Sequence, residues 1–452
     1  MNKNDEIELS IESMGNEGEG IGHTGDGMTV FVSGAIPGDR IIAHIIKFKK
    51  TYAYAIVSKI ISPSEHRVEP LCPVSGKCGG CTLQHMAYDE QLKQKEGKVR
   101  DCIERIGGIK NPPMEPIVGA ERLKNYRNKA QFPVGTDREG KPVSGFYRRH
   151  SHDVVNMPDC CIQASVNKPI VEAVLTFMEE RKVPVYNEET GKGLIRHIFT
   201  RVGFATKEVM ACIVINGEDL KEASDLAVIL KDIVEAEGLT FVSLCLNINK
   251  KNTNVILGDK VKCIWGRPYI EDKIGDVTYR ISPLSFYQVN PEQTVKLYNL
   301  ALEYAGLTGN EVVWDLYCGI GTISLFLARH AKEVYGVEIV PEAIEDAKEN
   351  ANLNGIDNAK FQAGAAEDLA PSLPCPDVIV VDPPRKGCDE KLLETILKNA
   401  PGRIVYVSCD PATLARDLKI LIAGGYELKH VRPVDQFIHS GHIETVCQLE
   451  RT

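Results

Sequence analysis

The apolar run Val312-Val313-Trp314-Asp315-Leu316 leads into Tyr317-Cys318-Gly319-Ile320-Gly321-Thr322 and then into an apolar helical stretch, Ile323 to Arg329. A buried strand, a glycine-rich turn and a helix in that order let the backbone approach a ligand closely. The same grammar recurs downstream. Val334–Val337 ends at Glu338, Val378–Val381 ends at Asp382, and Ile404–Ser408 ends at Cys409. From Tyr279 onward the pattern is β-α-β-α, which predicts an open, doubly wound, Rossmann-like sheet over 271–452. Ligands bind such sheets at the carboxyl ends of the strands, and Asp315, Glu338, Asp382 and Cys409 are all expected there.

Gly319-x-Gly321 is an incomplete phosphate fingerprint, and no Lys-Ser/Thr follows the loop. Both facts count against a dinucleotide or a triphosphate. An acid at the end of the second strand can hold both ribose hydroxyls of an adenosine. Acids without a phosphate cradle suit S-adenosylmethionine, which has a ribose and a positive centre. The competing reading makes Asp315 and Glu338 helix caps only. Cys409 precedes Asp410-Pro411, a favoured N-cap and first helical residue, so the helix dipole is expected to favour its thiolate. A lone cysteine is by default a small buried hydrophobe; its place beside the cofactor crevice makes Cys409 a candidate nucleophile. His442-Ile443-Glu444 precedes the apolar run Thr445–Leu449. Alternation puts His442 and Glu444 on one face, where Glu444 is either a general base or an exposed strand-end carboxylate.

The N-terminal segment, 1–61, reads as a small OB-like barrel. Short apolar runs (28–32, 40–46, 54–57) alternate with glycine-rich turns, and Pro37-Gly38-Asp39 is a turn signal. A linker at Ser62-Pro63-Ser64-Glu65 opens a mixed α+β region, 62–270, with a helix expected from about Tyr88 to Ile106. Cys72, Cys78 and Cys81 lie in a Pro/Gly-rich loop, with Cys160 or Cys161 available as a fourth thiol. The chain has fourteen cysteines and no apolar leader or membrane-length segment. The expected setting is therefore the reducing cytoplasm, where cysteines serve as thiols, ligands or catalysts. Four thiols suit an iron–sulfur cluster or a tetrahedral zinc, and a [4Fe–4S] cluster is favoured because only one C-x2-C pair is present. The formal charge is −9, so any basic surface must be local. Arg122, Lys124, Arg127, Lys129, Arg138, Lys141, Arg148 and Arg149 stand against only Asp137 and Glu139, with Tyr126, Phe132, Phe146 and Tyr147 interleaved. That is either an RNA footprint of cations and stacking rings or a solvated charged face.

Taken together, the chain resembles, over nearly its full length, the bacterial RNA uracil-5 methyltransferases, in particular the 23S ribosomal RNA type. The resemblance is carried by the barrel, which looks like a TRAM domain, and by the Cys72/Cys78/Cys81 loop. It is carried further by Phe286-Tyr287-Gln288-Val289-Asn290, Asp315 to Thr322, Asp382-Pro383-Pro384-Arg385, Ser408-Cys409-Asp410-Pro411 and His442-x-Glu444. It implies that Gln288, Tyr317, Glu338 and Asp382 contact S-adenosylmethionine, that Cys409 is the nucleophile and that Glu444 is the base. It implies a [4Fe–4S] cluster on Cys72, Cys78, Cys81 and Cys160, with Cys161 the alternative fourth ligand. It also implies that the helical part near 88–110 packs on the methyltransferase domain. The partner would be a loop uridine of 23S rRNA, free or in an assembling large subunit, with no membrane involved. Nothing resembles a coiled coil, so a monomer is expected. A tRNA uracil-5 methyltransferase is the nearest rival, disfavoured because such enzymes usually lack both barrel and cluster. A radical methylthiotransferase would need C-x3-C-x2-C, and a non-enzymatic RNA binder leaves Cys409 and Glu444 without purpose.

Overall fold

The computed structural model describes residues 2–452. Strands β1 (Glu6–Met14), β2 (Gly20–His23), β3 (Thr29–Ser33), β4 (Arg40–Phe48) and β5 (Tyr52–Ser62) close into a barrel in the order β1-β2-β3-β5-β4. Alternate residues point inward, among them Leu9, Ile11, Val30, Val32, Ile41, Ala43 and Ile45, and form its core. Closure leaves no free sheet edge in this small unit.

Helix α1 (Tyr88–Arg105) comes next, followed by β6 (Lys129–Thr136), β7 (Pro142–Tyr147), β8 (Val154–Asn156), α2 (Asn167–Glu180), β9 (Ile195–Val202), β10 (Glu208–Ile215), α3 (Ala223–Ala236), β11 (Thr240–Ile248) and β12 (Lys260–Gly266). The seven strands form one sheet in the order β12-β11-β10-β9-β6-β7-β8. Helices α2 and α3 cover one face through Ile170, Val174, Leu226 and Leu230. On the other face Phe199, Met210, Cys212 and Cys245 join the core of the hairpin β13 (Ile270–Ile274) and β14 (Val277–Ile281). The central sheet and the C-terminal domain therefore share a dry core.

The C-terminal unit comprises α4 (Pro291–Ala305), β15 (Val312–Leu316), α5 (Thr322–Ala328), β16 (Glu333–Glu338), α6 (Pro341–Leu353), β17 (Ala359–Ala363), α7 (Ala366–Leu369), β18 (Val378–Val381), α8 (Glu390–Asn399), β19 (Arg403–Ser408), α9 (Pro411–Ala423), β20 (Tyr426–Val434) and β21 (Glu444–Arg451). Its sheet runs β17-β16-β15-β18-β19-β21-β20, parallel from β17 to β19 and antiparallel thereafter. The strand order reverses between β15 and β18, which opens a crevice at their carboxyl ends. No helix among the described residues is long and apolar enough to cross a membrane.

α1 precedes the central sheet in sequence but packs in the C-terminal unit. Val99 and Ile103 lie in one core with Tyr406, Leu414 and Leu418. Its buried stripe is Gln91, Lys95, Val99 and Ile103, a spacing of four that keeps one face inward. The two polar members of the stripe are engaged by the strap 435–443, which connects β20 to β21. Lys95 Nζ donates to Asp435 Oδ1 at 2.5 Å and to the Phe437 carbonyl at 3.1 Å. Gln91 Nε2 bonds His439 Nδ1 at 3.2 Å, and Tyr88 donates its hydroxyl to Asp435 Oδ2 at 2.9 Å. Both Lys95 and Asp435 side chains are fully buried. Removing one partner of such a pair strands a charge in a dry core. Lys95→Met is therefore expected to lose about 3–5 kcal/mol of stability, and Lys95→Met with Asp435→Asn to recover part of that. Urea unfolding of the three proteins checks this; equal midpoints for wild type and Lys95→Met would contradict it.

Candidate active site

The strand registers bring the expected residues to one line. β15 pairs Leu316 with Val337 of β16 and with Val381 of β18, so Tyr317, Glu338 and Asp382 follow at the same level. β19 and β21 pair Ser408 with Thr445. The next residue outward on each strand is Cys409 and Glu444, so nucleophile and base candidates stand directly opposite one another. All of these, with Gln288, line a single cleft of about 690 Å³. His442 lies outside β21, so strand alternation does not place it beside Glu444; its side chain reaches the same cleft from the strap.

The donor end is built by the turn after β15. Tyr317 sits at φ 74°, unusual for a residue with a side chain, and Gly319 and Gly321 follow at 53° and 81°. Tyr317 N and Cys318 N both donate to the Val337 carbonyl, which fixes the bend. Backbone strain of this kind is typical of ligand loops. Glu338 accepts from Gly319 N at 3.3 Å and Val340 N at 3.0 Å, so its carboxylate is held at the rim of the turn. Asp315 accepts from Ser324 Oγ at 2.5 Å in the first turn of α5, while its Oδ1 has no partner among the described residues. It anchors the helix with one oxygen and leaves the other for the cleft. Gln288 is buried, and Gln436 from the strap approaches its side-chain oxygen at 3.5 Å.

The acceptor end is dominated by carboxylates out of water. Burial pushes Asp315 up to about 6 and Asp382 up to about 7, each also facing a neighbouring acid. Glu444 is also raised, by burial and by Asp382, against the pull of Arg385, and its Oε2 is unpartnered. The expectation of a helix-activated thiolate at Cys409 is corrected here. Asp410 does cap α9, accepting from Ala412 N at 2.9 Å and Thr413 N at 3.0 Å. Yet burial, Glu444 and Asp382 push Cys409 up to about 12. Burial is the largest of these causes and the two acids add to it, so the thiol is favoured over the thiolate in the cleft.

Motif reading had given no task to several cleft residues. Arg385 is the one cation facing both Cys409 and Glu444 among the groups that shift them favourably. Phe437 and His442 contact edge to face at 6.1 Å. Phe286, 65% exposed, stands at the mouth. The available signal for Phe286 was its place at the head of the run Phe286-Tyr287-Gln288-Val289-Asn290; for Phe437, inside the strap, there was none.

Away from the cleft, Cys72, Cys78, Cys81, Cys160 and Cys161 are free, half-buried thiols. Cys81, Cys160 and Cys161 share an apolar nest with Tyr126, Ile162 and Ile438. Cys160 faces Cys78 and Cys81, whereas Cys161 faces Cys72 and Cys81. No three ligating side chains converge in metal-binding geometry among the described residues. The donor set is nonetheless all sulfur and half-buried, which fits an iron–sulfur cluster better than a hard cation.

The basic segment is less uniform than its composition. Tyr126 and Phe132 are buried and cannot stack on a base. Arg122 pairs with Glu292, Lys141 with Glu139, and Arg149 donates to Ser33 Oγ of the barrel.

With this geometry in hand, comparison with known proteins is informative. Residues 2–58 match a TRAM domain and residues 307–431 a methyltransferase domain. An uncharacterized RNA methyltransferase of Halalkalibacterium halodurans is 50% identical, covering 100% of this chain and 98% of its own length. One from Clostridium acetobutylicum is 47% identical over 99% and 98%. The chain belongs to the RNA methyltransferases. The methyltransferase domain carries the cleft described above, and its features fit S-adenosylmethionine as methyl donor. Among solved structures, the Pyrococcus abyssi tRNA (uracil-54, C5)-methyltransferase in complex with S-adenosyl-L-homocysteine superposes with a TM-score of 0.80. It is 29% identical and covers 98% of this chain and 100% of its own. A tRNA-directed enzyme thus has a counterpart to nearly every part of this RNA methyltransferase. The barrel therefore does not by itself separate an rRNA enzyme from a tRNA enzyme, contrary to the sequence argument.

The electrostatics predict a specific response. Glu444→Gln removes a carboxylate facing Cys409, so the thiol should ionise at lower pH than in the wild type. Alkylation of Cys409 by iodoacetamide, followed across pH 7–10, should accelerate several-fold in the variant; an unchanged profile would contradict the assignment.

Proposed function

We propose that the protein transfers a methyl group from S-adenosylmethionine to C5 of a specific uridine in 23S rRNA, giving 5-methyluridine. The observation carrying this reading is the opposition of Cys409 and Glu444 at the strand ends, beside a crevice with the features of an adenosine site.

Glu338 would hold the ribose, with Tyr317, Gln288 and Asp382 around the remainder of the donor. Bound S-adenosylmethionine supplies a methyl group on a positively charged sulfur. C5 of uracil is a poor nucleophile. Cys409, once ionised, adds to C6, and the displaced electron pair makes C5 an enolate carbon able to take the methyl. Glu444 then removes the C5 proton and Cys409 departs from C6, restoring the ring double bond. Covalent addition divides one hard step into easier ones. The uridine has to leave its stack to enter the cleft, which favours a loop over a duplex. Arg385 assists by favouring both ionised groups.

Cys72, Cys78 and Cys81, with Cys160 as fourth ligand, would hold a [4Fe–4S] cluster with a structural role. When bound it would supply redox-active iron, which the transfer chemistry would not use. Anaerobically purified protein is expected to contain iron and acid-labile sulfide in equal amounts, and Cys78→Ser to contain neither; zinc without iron would overturn this.

A second reading, methylation of tRNA, is favoured by the Pyrococcus abyssi structure. Labelled S-adenosylmethionine offered with unmodified 23S rRNA and unmodified tRNA in parallel decides between them. Label recovered as 5-methyluridine in 23S rRNA supports the proposal, and label in tRNA alone replaces it. On the accepted RNA, Cys409→Ala should abolish transfer. Glu444→Gln should accumulate a denaturant-resistant protein–RNA adduct, because the proton that permits elimination stays on C5.

A further inference from the structure

A second recess of about 230 Å³ lies outside the cleft, on the face of the central sheet opposite α2 and α3. Lys129 and Gln131 alternate onto this face of β6, Arg127 lies just before that strand in a bridge with Gln163, and His197 comes from β9, where Pro133 pairs with it. Tyr147 of β7 closes one side and Gln163 another, while the Phe146 ring turns to the opposite face and packs 4.9 Å from Phe132.

The recess is furnished for a ligand it does not find within the protein. His197 is 4% exposed, yet its Nδ1 is unpartnered; Gln163, 5% exposed, has a free side-chain oxygen; the buried Nε of Arg127 has no acceptor. Buried polar groups in native proteins are ordinarily bonded. Arg127 and Lys129 make no ion pair among the described residues, and no Asp or Glu lines the recess. Arg201, fully buried, adds a third cation close by, and together with burial it drives Lys129 down to about 8. Cations gathered without a counter-ion repel one another, and an anion relieves that repulsion. Burial lowers His197 to about 4, so its ring is neutral; Nε2 meets the Tyr147 hydroxyl at 3.4 Å, which leaves Nδ1 for a ligand.

The recess is tied to the reaction cleft through one residue. Asn128, between Arg127 and Lys129, donates its backbone N–H to the Val289 carbonyl and its side-chain amide to the Gln288 carbonyl, both at 2.9 Å. Gln288 and Val289 line the cleft. A volume below the roughly 300–1,000 Å³ of ordinary small-molecule pockets suits a single base. Rings, cations and amide edges in one place are the means by which proteins hold an unstacked nucleotide.

We infer that this recess binds one unstacked nucleotide of the RNA substrate flanking the target uridine, with Arg127 and Lys129 on its phosphate, Tyr147 against its base, and His197 and Gln163 at the base edge. The inference rests on the proposed action on RNA and names a subsite for it. It would make the recess a determinant of which uridine is chosen.

The test combines Lys129→Gln, Arg127→Gln with Lys129→Gln, and Tyr147→Leu in the full chain with RNA substrates carrying a single abasic site at each position flanking the target. Binding is read by fluorescence anisotropy, turnover by methyl transfer, and folding by melting temperature. For the variants we expect Kd and KM to rise about tenfold with kcat within about twofold. One abasic position should cost the wild type a similar factor and cost the folded variants nothing further. Variants that bind and turn over like the wild type, or abasic penalties that persist in them unchanged, would overturn the inference while leaving the methylation reading intact. If no 5-methyluridine forms but the anisotropy arm shows the shared penalty, the methylation reading falls and the nucleotide site stands. Lys129→Gln, at a half-buried side chain without a protein partner, keeps the test valid if the double variant does not fold.

Discussion

The buried pair of Lys95 and Asp435 is the interaction on which the working geometry hangs. It ties a helix that precedes the central sheet to a strap that ends at Glu444. The same strap is fastened from three further directions. Thr82 N and Leu83 N, just after Cys81, donate to the His439 carbonyl, and Tyr126 donates its hydroxyl to the Ile438 carbonyl at 3.0 Å. Lys98 Nζ bridges the Asn16 carbonyl of the barrel and the Gly441 carbonyl at 2.9 and 3.0 Å. A side chain at Gly441 would press on the barrel loop, since its Cβ would lie 3.1 Å from the Asn16 carbonyl oxygen. Barrel, cysteine loop and α1 thus meet on one short segment, and that segment fixes where the carboxylate opposite Cys409 stands.

The second constraint is electrostatic. Asp315, Asp382 and Glu444 are gathered at the strand ends with water largely excluded, and Arg385 is the counter-charge that reaches the acceptor end. Like charges in a dry site raise one another's proton affinity. A ligand with a positive centre would relieve this, as would a planar base that takes hydrogen bonds from a protonated acid. The cleft is therefore uncomfortable when empty, which is the usual condition of a preorganised site.

Much of the C-terminal unit could be read from the chain. Strands ending in Asp315, Glu338, Asp382 and Cys409 have apolar runs of the right length, and glycine at 319 and 321 accepts the positive φ that the turn demands. The barrel was equally visible through its alternation. The central sheet was not, because β9 and β10 are buried along almost their whole length and carry no alternating period. The state of Cys409 was misjudged for a three-dimensional reason. Its position before α9 is local, but the burial that raises it, and the acids after β18 and on β21 that add to the shift, come from the assembled fold. Nothing in the sequence singles out Lys95 on its helix, since its partner Asp435 lies far along the chain. Tyr126 and Phe132 read as stacking rings and proved to be core, because composition cannot tell which face of a strand a ring occupies.

The central claim is that Cys409 attacks C6 of a uracil whose C5 then accepts the methyl group. RNA in which the target uridine is replaced by 5-fluorouridine tests it most directly, since fluorine cannot leave C5 as a proton does. Incubation with S-adenosylmethionine, followed by digestion and mass spectrometry, should give a stable peptide–nucleotide adduct on Cys409 that also carries the added methyl group. Methyl transfer to the RNA without such an adduct, or an adduct on another residue, would contradict the account.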